Sequence, residues 1–166
     1  RFDEVTTNFD KKRVPLSGSQ REKRRGAYRY YGAQGVIDYI DDYIFDGTYL
    51  LIAEDGENLK SKKQNIAQIA TGQFWVNNHA HLVKMKDSCD IKYLYYYLKI
   101  ANLMPYVSGT TRLKLTQKKL REIPVVLPTK DKQTAFVAIA EQADKSKFEL
   151  RKSIEAIDAV IKSLIN

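Results

Sequence analysis

"FVAIAEQADKSKFELRKSIEAIDAVIKSLI", residues 136–165, decides the architecture. Starting at Phe136 and moving alternately by four and three, the series reaches Ala140, Ala143, Lys147, Leu150, Ile154, Ile157, Ile161 and Leu164. Lys147 is its only member that is not apolar. Positions so spaced share one seam of a helix, and a seam kept for about four heptads is the pattern of a coiled coil. No Gly or Pro interrupts it. A helix over 133–165 would run on the order of 50 Å, at about 1.5 Å per residue. An amphipathic helix of that length lying on its own small domain would leave much of the seam in water. The sequence therefore predicts pairing with a helix from another copy, another subunit or another part of a longer polypeptide. These nine residues form the expected interface. An antiparallel pair sets the narrow end, Ala140 and Ala143, against the bulky aliphatic end, whereas a parallel pair stacks two lysines at 147.

Upstream of Pro128 the periodicity is different. Short runs rich in aromatic and β-branched residues alternate with glycine-marked turns, as in "YRYYGAQGVIDYI", "YIFDGTYLLIAEDG", "IAQIATGQFWV" and "HAHLVKM". One helix is predicted in "DIKYLYYYLKIANLM", capped by Asp90 and ended by Pro105. "TTRLKL" reads as a strand, "TQKKLREI" as a short helix capped by Thr116, and "IPVVLP" as a last strand. The expected class is α+β: an irregular, mostly β domain over 1–128, then one long helix over 129–166.

At 166 residues and 43% hydrophobic, the chain has enough apolar material for one real core. Cys89 is its only cysteine, which excludes an internal disulfide and points to a reducing, cytoplasmic setting. No apolar run approaches the roughly 20 residues that span a bilayer, and no signal-peptide pattern opens the chain, so no membrane partner is expected.

The net charge of +8 fits a polyanionic partner, and its distribution sharpens the point. Residues 11–29 hold eight cations against Glu22 alone, a local net of 8 − 1 = +7. A second basic stretch carries Arg112, Lys114, Lys118, Lys119 and Arg121, while the acids gather at Asp38, Asp41, Asp42, Asp46, Glu54, Asp55 and Glu57. A charge run is most often a solvated face. Here, however, tyrosines interleave with the cations in "RRGAYRYYG", and hydroxyls flank Arg112 and Lys114 in "SGTTRLKL". Cations and hydroxyls hold phosphates, and Asn, Gln and Arg read base edges. Nucleic acid is the leading partner. The expected phosphate and base contacts are Arg24, Arg25, Arg29, Lys62, Lys63, Thr110, Thr111, Arg112 and Lys114.

"FWVNNHAHLV", residues 74–83, packs Asn77, Asn78, His79 and His81 into an apolar run. A metal site, a catalytic base, a set of base readers and a polar turn are all compatible with it. Catalysis has little support. There is no G-x-G, no G-K-[ST] and no Pro-Pro pair, and no second cysteine or H-E-x-x-H joins the histidines. Nor does any local signature pair Cys89 with a histidine. No metal is expected.

Taken together, "YRYYGAQGVIDYIDDYIFDGTYLLIAEDG", "ATGQFWVNNHAHLVKM", "VSGTTRLKLTQKKLREIPVVLP" and the heptad helix resemble the DNA-specificity subunit of type I restriction–modification enzymes over nearly the whole chain. The resemblance implies a target-recognition domain that reads half of a bipartite site in double-stranded DNA, and a long helix that pairs with a second one. It implies a non-catalytic subunit that positions modification and restriction subunits, with S-adenosylmethionine and ATP on those partners. The family's complete subunit carries two of each part, so this chain resembles a half subunit that would pair with itself or with a second half. The "YYGAQG" segment matches the family's first recognition strand, bringing in Tyr30, Tyr31 and Gln34, with Gly32 and Gly35 serving turn geometry. The Asn77–His81 segment also falls inside the recognition domain, with Asn77, Asn78 and His79 as contacts or as turn residues. A second reading, from another class, is a basic coiled-coil scaffold that binds RNA or anionic surfaces without sequence preference. A hydrolase built around His79 and His81 is a distant third.

Overall fold

A computed structural model describes residues 1–55, 59–60, 66–109 and 113–165. Its centre is the strand Tyr49–Ala53, β5, in which all five residues are buried. Alternate side chains of a strand point to opposite faces, so β5 needs an apolar layer on each side. Leu50 and Ile52 enter one cluster, with Phe2, Val83, Leu94 and Leu98. Tyr49 and Leu51 enter another, with Tyr31, Phe45, Phe74 and Leu82.

Two four-stranded sheets and a helical layer supply these faces. The first sheet runs β1 (Thr6–Asn8), β8 (Ala80–Met85), β5, β6 (Ala67–Ala70), with all pairs antiparallel. The second runs β3 (Val36–Ile40), β2 (Arg25–Tyr31), β7 (Gln73–Val76), β4 (Phe45–Asp46), and β2 and β7 pair in parallel. A small hairpin pairs β9 (Val107–Ser108) with β10 (Lys114–Leu115). Short helices α1 (Phe2–Val5) and α2 (Gly18–Glu22) precede β2, α3 (Ile91–Ile100) follows β8, and α4 (Gln117–Glu122) follows β10. The long helix α5 spans Lys130–Ile165. The α+β expectation holds, with a mixed sheet where a hairpin-only arrangement would have been antiparallel.

Local sequence accounts for several boundaries. The Asp90 carboxylate accepts from Lys92 N and Tyr93 N at the start of α3, and Thr116 Oγ1 accepts from Lys119 N at the start of α4, as predicted. Gly26 lies where β2 bulges against β3: a Cβ there would sit 2.5 Å from Asp41 N and from Ile40 O.

Other expectations fail. The predicted strand "IPVVLP" forms no strand. Pro124 and Pro128 lack amide donors, and the carbonyls of Pro124 and Val126 accept instead from the Tyr97 and Tyr93 hydroxyls. Helix α3 stops at Ile100, well before Pro105, which sits in a 3₁₀ turn over Met104–Tyr106. Of "TTRLKL", Lys114 and Leu115 are strand and Leu113 is not, and residues 110–112 lie outside the described residues. The first 24 residues, of which the sequence reading uses only the basic run from Lys11, supply α1, β1 and α2.

Helix α5 has two parts. Its first turns dock on α3: Gln133 and Val137 are buried, and the Phe136 ring meets Tyr93 edge-on at 5.5 Å. Lys92–Glu141 (2.6 Å) and Lys99–Asp144 (3.0 Å) flank the contact. From Lys145 to Ile165 every residue is exposed, including Leu150, Ile154, Ile157, Ile161 and Leu164. Phe136 and Ala140 are half-buried against the chain's own domain, so the open seam starts at Ala143.

Gln133 locks the docked part. Its Oε1 accepts from Asp90 N at 2.8 Å, and its Nε2 donates to Ser88 O (3.0 Å) and Pro128 O (2.9 Å). Gln133→Ala removes all three hydrogen bonds of a buried side chain and leaves the half-buried Asp90 amide short of its partner, so it is expected to cost about 1–3 kcal/mol. Urea unfolding followed by circular dichroism measures this, and a loss below about 0.5 kcal/mol, within the range of ordinary surface substitutions, would show that the docking does not depend on Gln133.

Candidate nucleic-acid interface

The strand order brings several of the sequence-predicted contacts to one end of the β domain. β2 and β7 end there side by side, Tyr31 beside Val76, and Asn77 N donates to Tyr31 O at 2.9 Å. β5 ends there at Ala53 opposite Ala80, and Ala67 begins β6 opposite Ile52. Asp55 bridges to Lys114. The turns at 32–35 and 77–79, the segment 54–55 and the base of β10 therefore share one face.

Each turn has a local cause. The 32–35 turn closes with Gly32 N donating to Gly35 O at 2.8 Å, and Gln68 Nε2 holds Gly32 O at 3.0 Å. Neither glycine has positive φ. Gly32 is needed for space, because a Cβ would meet Ile37 Cγ2 at 2.9 Å. Gln34 is exposed at the tip. In the 77–79 turn the buried Asn77 accepts from His79 N through its own Oδ1 at 2.8 Å, the turn-closing role available to an Asn side chain. Asn77 is a turn residue. Asn78 and His79 are exposed on the turn it closes, and His79 Nδ1 lies 3.9 Å from Asp55 Oδ2. Lys114 Nζ lies 3.6 Å from Glu54 Oε2.

Other expected contacts are elsewhere. Tyr30 and Tyr31 are 1% and 5% exposed and belong to the core, and Leu16 N donates to the Tyr30 hydroxyl at 2.9 Å. Arg25 starts β2 and Tyr31 ends it, a separation of roughly 20 Å at about 3.3 Å per residue. Arg24 pairs with Asp41 (2.8 Å) and Asp42 (3.4 Å) and covers the Trp75 ring, while Arg25 pairs with Asp38 at 2.7 Å. Arg29 donates to Thr71 O and lies over Tyr31. Across the β2–β3 hairpin Asp38, Asp41 and Asp42 thus answer Arg21, Arg25 and Arg24, which leaves 7 − 3 = +4 of the charge counted over residues 11–29. Lys62, Lys63, Thr110, Thr111 and Arg112 lie outside the described residues.

Behind the face is a buried polar network that no sequence pattern signalled. His81 is fully buried. Its Nδ1 is 2.6 Å from Asp10 Oδ2 and its Nε2 is 2.6 Å from Leu115 O. Asp10 Oδ1 accepts from Leu82 N at 2.8 Å, and Arg13 Nη1 donates to Ala80 O at 2.5 Å. His79 and His81 do not form a pair: one is in an exposed turn and the other is bonded at both nitrogens. Among the described residues, no group of three or more His, Cys, Asp or Glu stands together where it could hold a metal. Burial pushes the Cys89 thiol up to about 11, which leaves it protonated near neutral pH.

Burial by itself raises the Asp10 carboxyl, but the His81 hydrogen bond and charge, the Leu82 amide and Asn8 outweigh it and hold Asp10 below the ordinary 3.8. A carboxylate whose pKa is depressed on folding stabilises the fold above its unfolded pKa, about 3.9, and that contribution is lost as pH falls through the folded value. Urea midpoints are expected to drop from pH about 4 downward, more steeply in the wild type than in Asp10→Asn. Parallel acid profiles of the two proteins would rule out Asp10 as the source.

The described chain thus has two parts, a mixed β domain with a loop-lined face at one end and a long helix exposed from Lys145 onward. Comparison with known proteins gives the family. The chain belongs to the type I restriction modification DNA specificity domain family, whose profile matches residues 2–158. It is 39% identical over 140 residues to a putative type I restriction enzyme specificity subunit of Haemophilus influenzae, covering 84% of this chain and 35% of that protein. It is 27% identical over 125 residues to the EcoprrI specificity subunit of Escherichia coli, covering 74% of this chain and 30% of that one. The chain thus spans about a third of these relatives. A solved chain of a type I R-M system superposes with TM-score 0.75 at 19% identity, over 99% of this chain and 42% of that chain. The S subunit from M. genitalium does so with 0.66 at 16%, over 87% and 38%. At such identities the superpositions speak for the fold.

Proposed function

We propose that this chain recognises a DNA sequence for a type I restriction–modification complex and reads one half of a bipartite site. The observation that carries the reading is the convergence of the exposed Gln34, Asn78, His79 and Lys114 on one end of the β domain, in a chain of the specificity family. Amide side chains can bond two base-edge atoms, and a lysine can hold a phosphate. Methyl transfer and DNA cleavage, with S-adenosylmethionine and ATP, fall to the modification and restriction subunits. The chain itself is assigned positioning and no chemical step. Helix α5 pairs with a second helix of its kind, most simply antiparallel, and so sets the distance between two reading faces. Its exposed aliphatic seam from Leu150 to Leu164 supports this part.

Selection from a duplex pool with a randomised centre, with binding followed by anisotropy, tests the reading. Lys114→Ala is expected to weaken all duplexes alike and to flatten the salt slope by about 0.9. Asn78→Ala and His79→Ala are expected to cost about 1–3 kcal/mol on the enriched duplex and much less on random DNA. Arg24→Ala is expected to leave the salt slope unchanged, because Asp41 and Asp42 already neutralise it. No enriched sequence, with equal affinity for RNA, would favour the non-specific scaffold.

Light scattering tests the pairing. Ile154 and Ile157 are 50% and 58% exposed. Ile154→Asp with Ile157→Asp puts charge into the seam and should split a dimer while the β-domain circular dichroism persists. A wild-type monomer at tens of micromolar would rule out self-pairing and leave pairing with a different half.

A further inference from the structure

Four hydrogen bonds tie the separate segments of the candidate face together. Glu54 N donates to His79 O at 3.0 Å, and Leu115 N donates to Glu54 O at 2.9 Å. The His81 ring, two residues along from His79, returns to Leu115 O through Nε2 at 2.6 Å. Those three bonds and the strand between His79 and His81 form a closed circuit through the 77–79 turn, the end of β5 and β10. The fourth bond, from Nδ1 to Asp10 at 2.6 Å, fixes the ring from a further segment. The ring thus has a polar partner on each side, Asp10 Oδ2 and Leu115 O.

We propose that His81 is the positioning residue of the DNA-reading face, closing a circuit that fixes β10, and Lys114 on it, against the Asn78–His79 turn. The inference rests on the DNA reading given above. His81 is too deep to touch DNA and acts through the segments it joins. The buried Leu115 side chain holds β10 against the core, but apolar contact has no direction. The Nε2 bond has direction, and it sets where along the face β10 sits. Further charged groups facing the ring are Glu54, with Oε1 3.9 Å from Nε2, and Arg13, whose Nε lies 3.7 Å from Asp10 Oδ1. Lys114 pairs with the same Glu54, which couples the surface cation to the buried network.

Two polar substitutions separate this role from general stability. The amide of His81→Asn sits near the Nδ1 position, reaches Asp10 and falls short of Leu115 O. The longer His81→Gln can again donate to Leu115 O. Hydrogen exchange on the full chain reads the circuit directly. In H81N the Leu115 and Glu54 amides should exchange at least about tenfold faster while the amides in the centre of β5 keep wild-type protection, and H81Q should restore both. Binding should follow: H81N loses roughly tenfold in discrimination between the enriched duplex and random duplex, and H81Q keeps it. Unchanged exchange at Leu115 in H81N would overturn the inference. So would faster exchange with undiminished discrimination, or an H81Q protein that folds but behaves as H81N is expected to. If H81N does not fold, the H81Q outcomes decide. If the wild type enriches no duplex, the DNA reading falls, and the exchange results still decide whether His81 closes the circuit.

Discussion

A strand buried on both faces can exist only between two apolar layers, and β5 imposes that condition on everything around it. Leu50 and Ile52 need the helices, and Tyr49 and Leu51 need the second sheet. Each such side chain is worth about 1.5–3 kcal/mol when fully buried, and none can be supplied by one layer alone. The order of the sheets follows. β8 and β6 flank β5, the chain crosses at Asn77–His79 to link the sheets, and strand ends from both sheets arrive at the same edge. The candidate reading face is that edge. Its position results from packing the core.

The same architecture redistributes charge. In linear order the arginines of residues 11–29 look like a phosphate clamp. Folding lays β3 beside β2, and Asp38, Asp41 and Asp42 come to face Arg21, Arg25 and Arg24. Exposed ion pairs of this kind add little stability, but they weaken the local field on which a polyanion would act at Arg21, Arg24 and Arg25. Lys114 also has a carboxylate neighbour, Glu54, yet it stands on the face where the exposed amides and His79 gather. A cation's value for recognition depends on its company as well as its exposure.

Local rules made much of this legible in advance. Hairpin glycines, alternating strands, the Asp90 and Thr116 caps and the heptad seam all depend on neighbours within a few residues. Tyr30 and Tyr31 mark the limit. Alternation cannot say which side of β2 is covered, and here both ring faces meet layers contributed from far along the chain. The His81 network lies beyond any pattern, since Asp10 is 71 residues before His81 and Leu115 is 34 after it. "IPVVLP" failed for a different reason. Its composition suits a strand, but its two prolines cannot donate, and tyrosine hydroxyls from α3 had already claimed its carbonyls.

Helix α5 leaves a long apolar stripe uncovered. Its docked turns are fixed by Gln133, Val137 and Phe136, so the helix leaves the domain in a set direction. Beyond Lys145, Leu150, Ile154, Ile157, Ile161 and Leu164 lie on one stripe that is exposed among the described residues. A stripe of that length is costly to keep in water, since exposed apolar surface is favoured by nothing else in the helix. A helix rigidly docked at one end and paired at the other works as a ruler. The pairing proposed for α5 would pass its geometry to the β domain through Gln133 and the α3 contacts, without a flexible joint. The gap between two half-sites would then follow from where the seam closes, and the bases read from the turns at 32–35 and 77–79. Spacing and sequence would be set by different parts of one chain, so that either could change while the other stayed fixed.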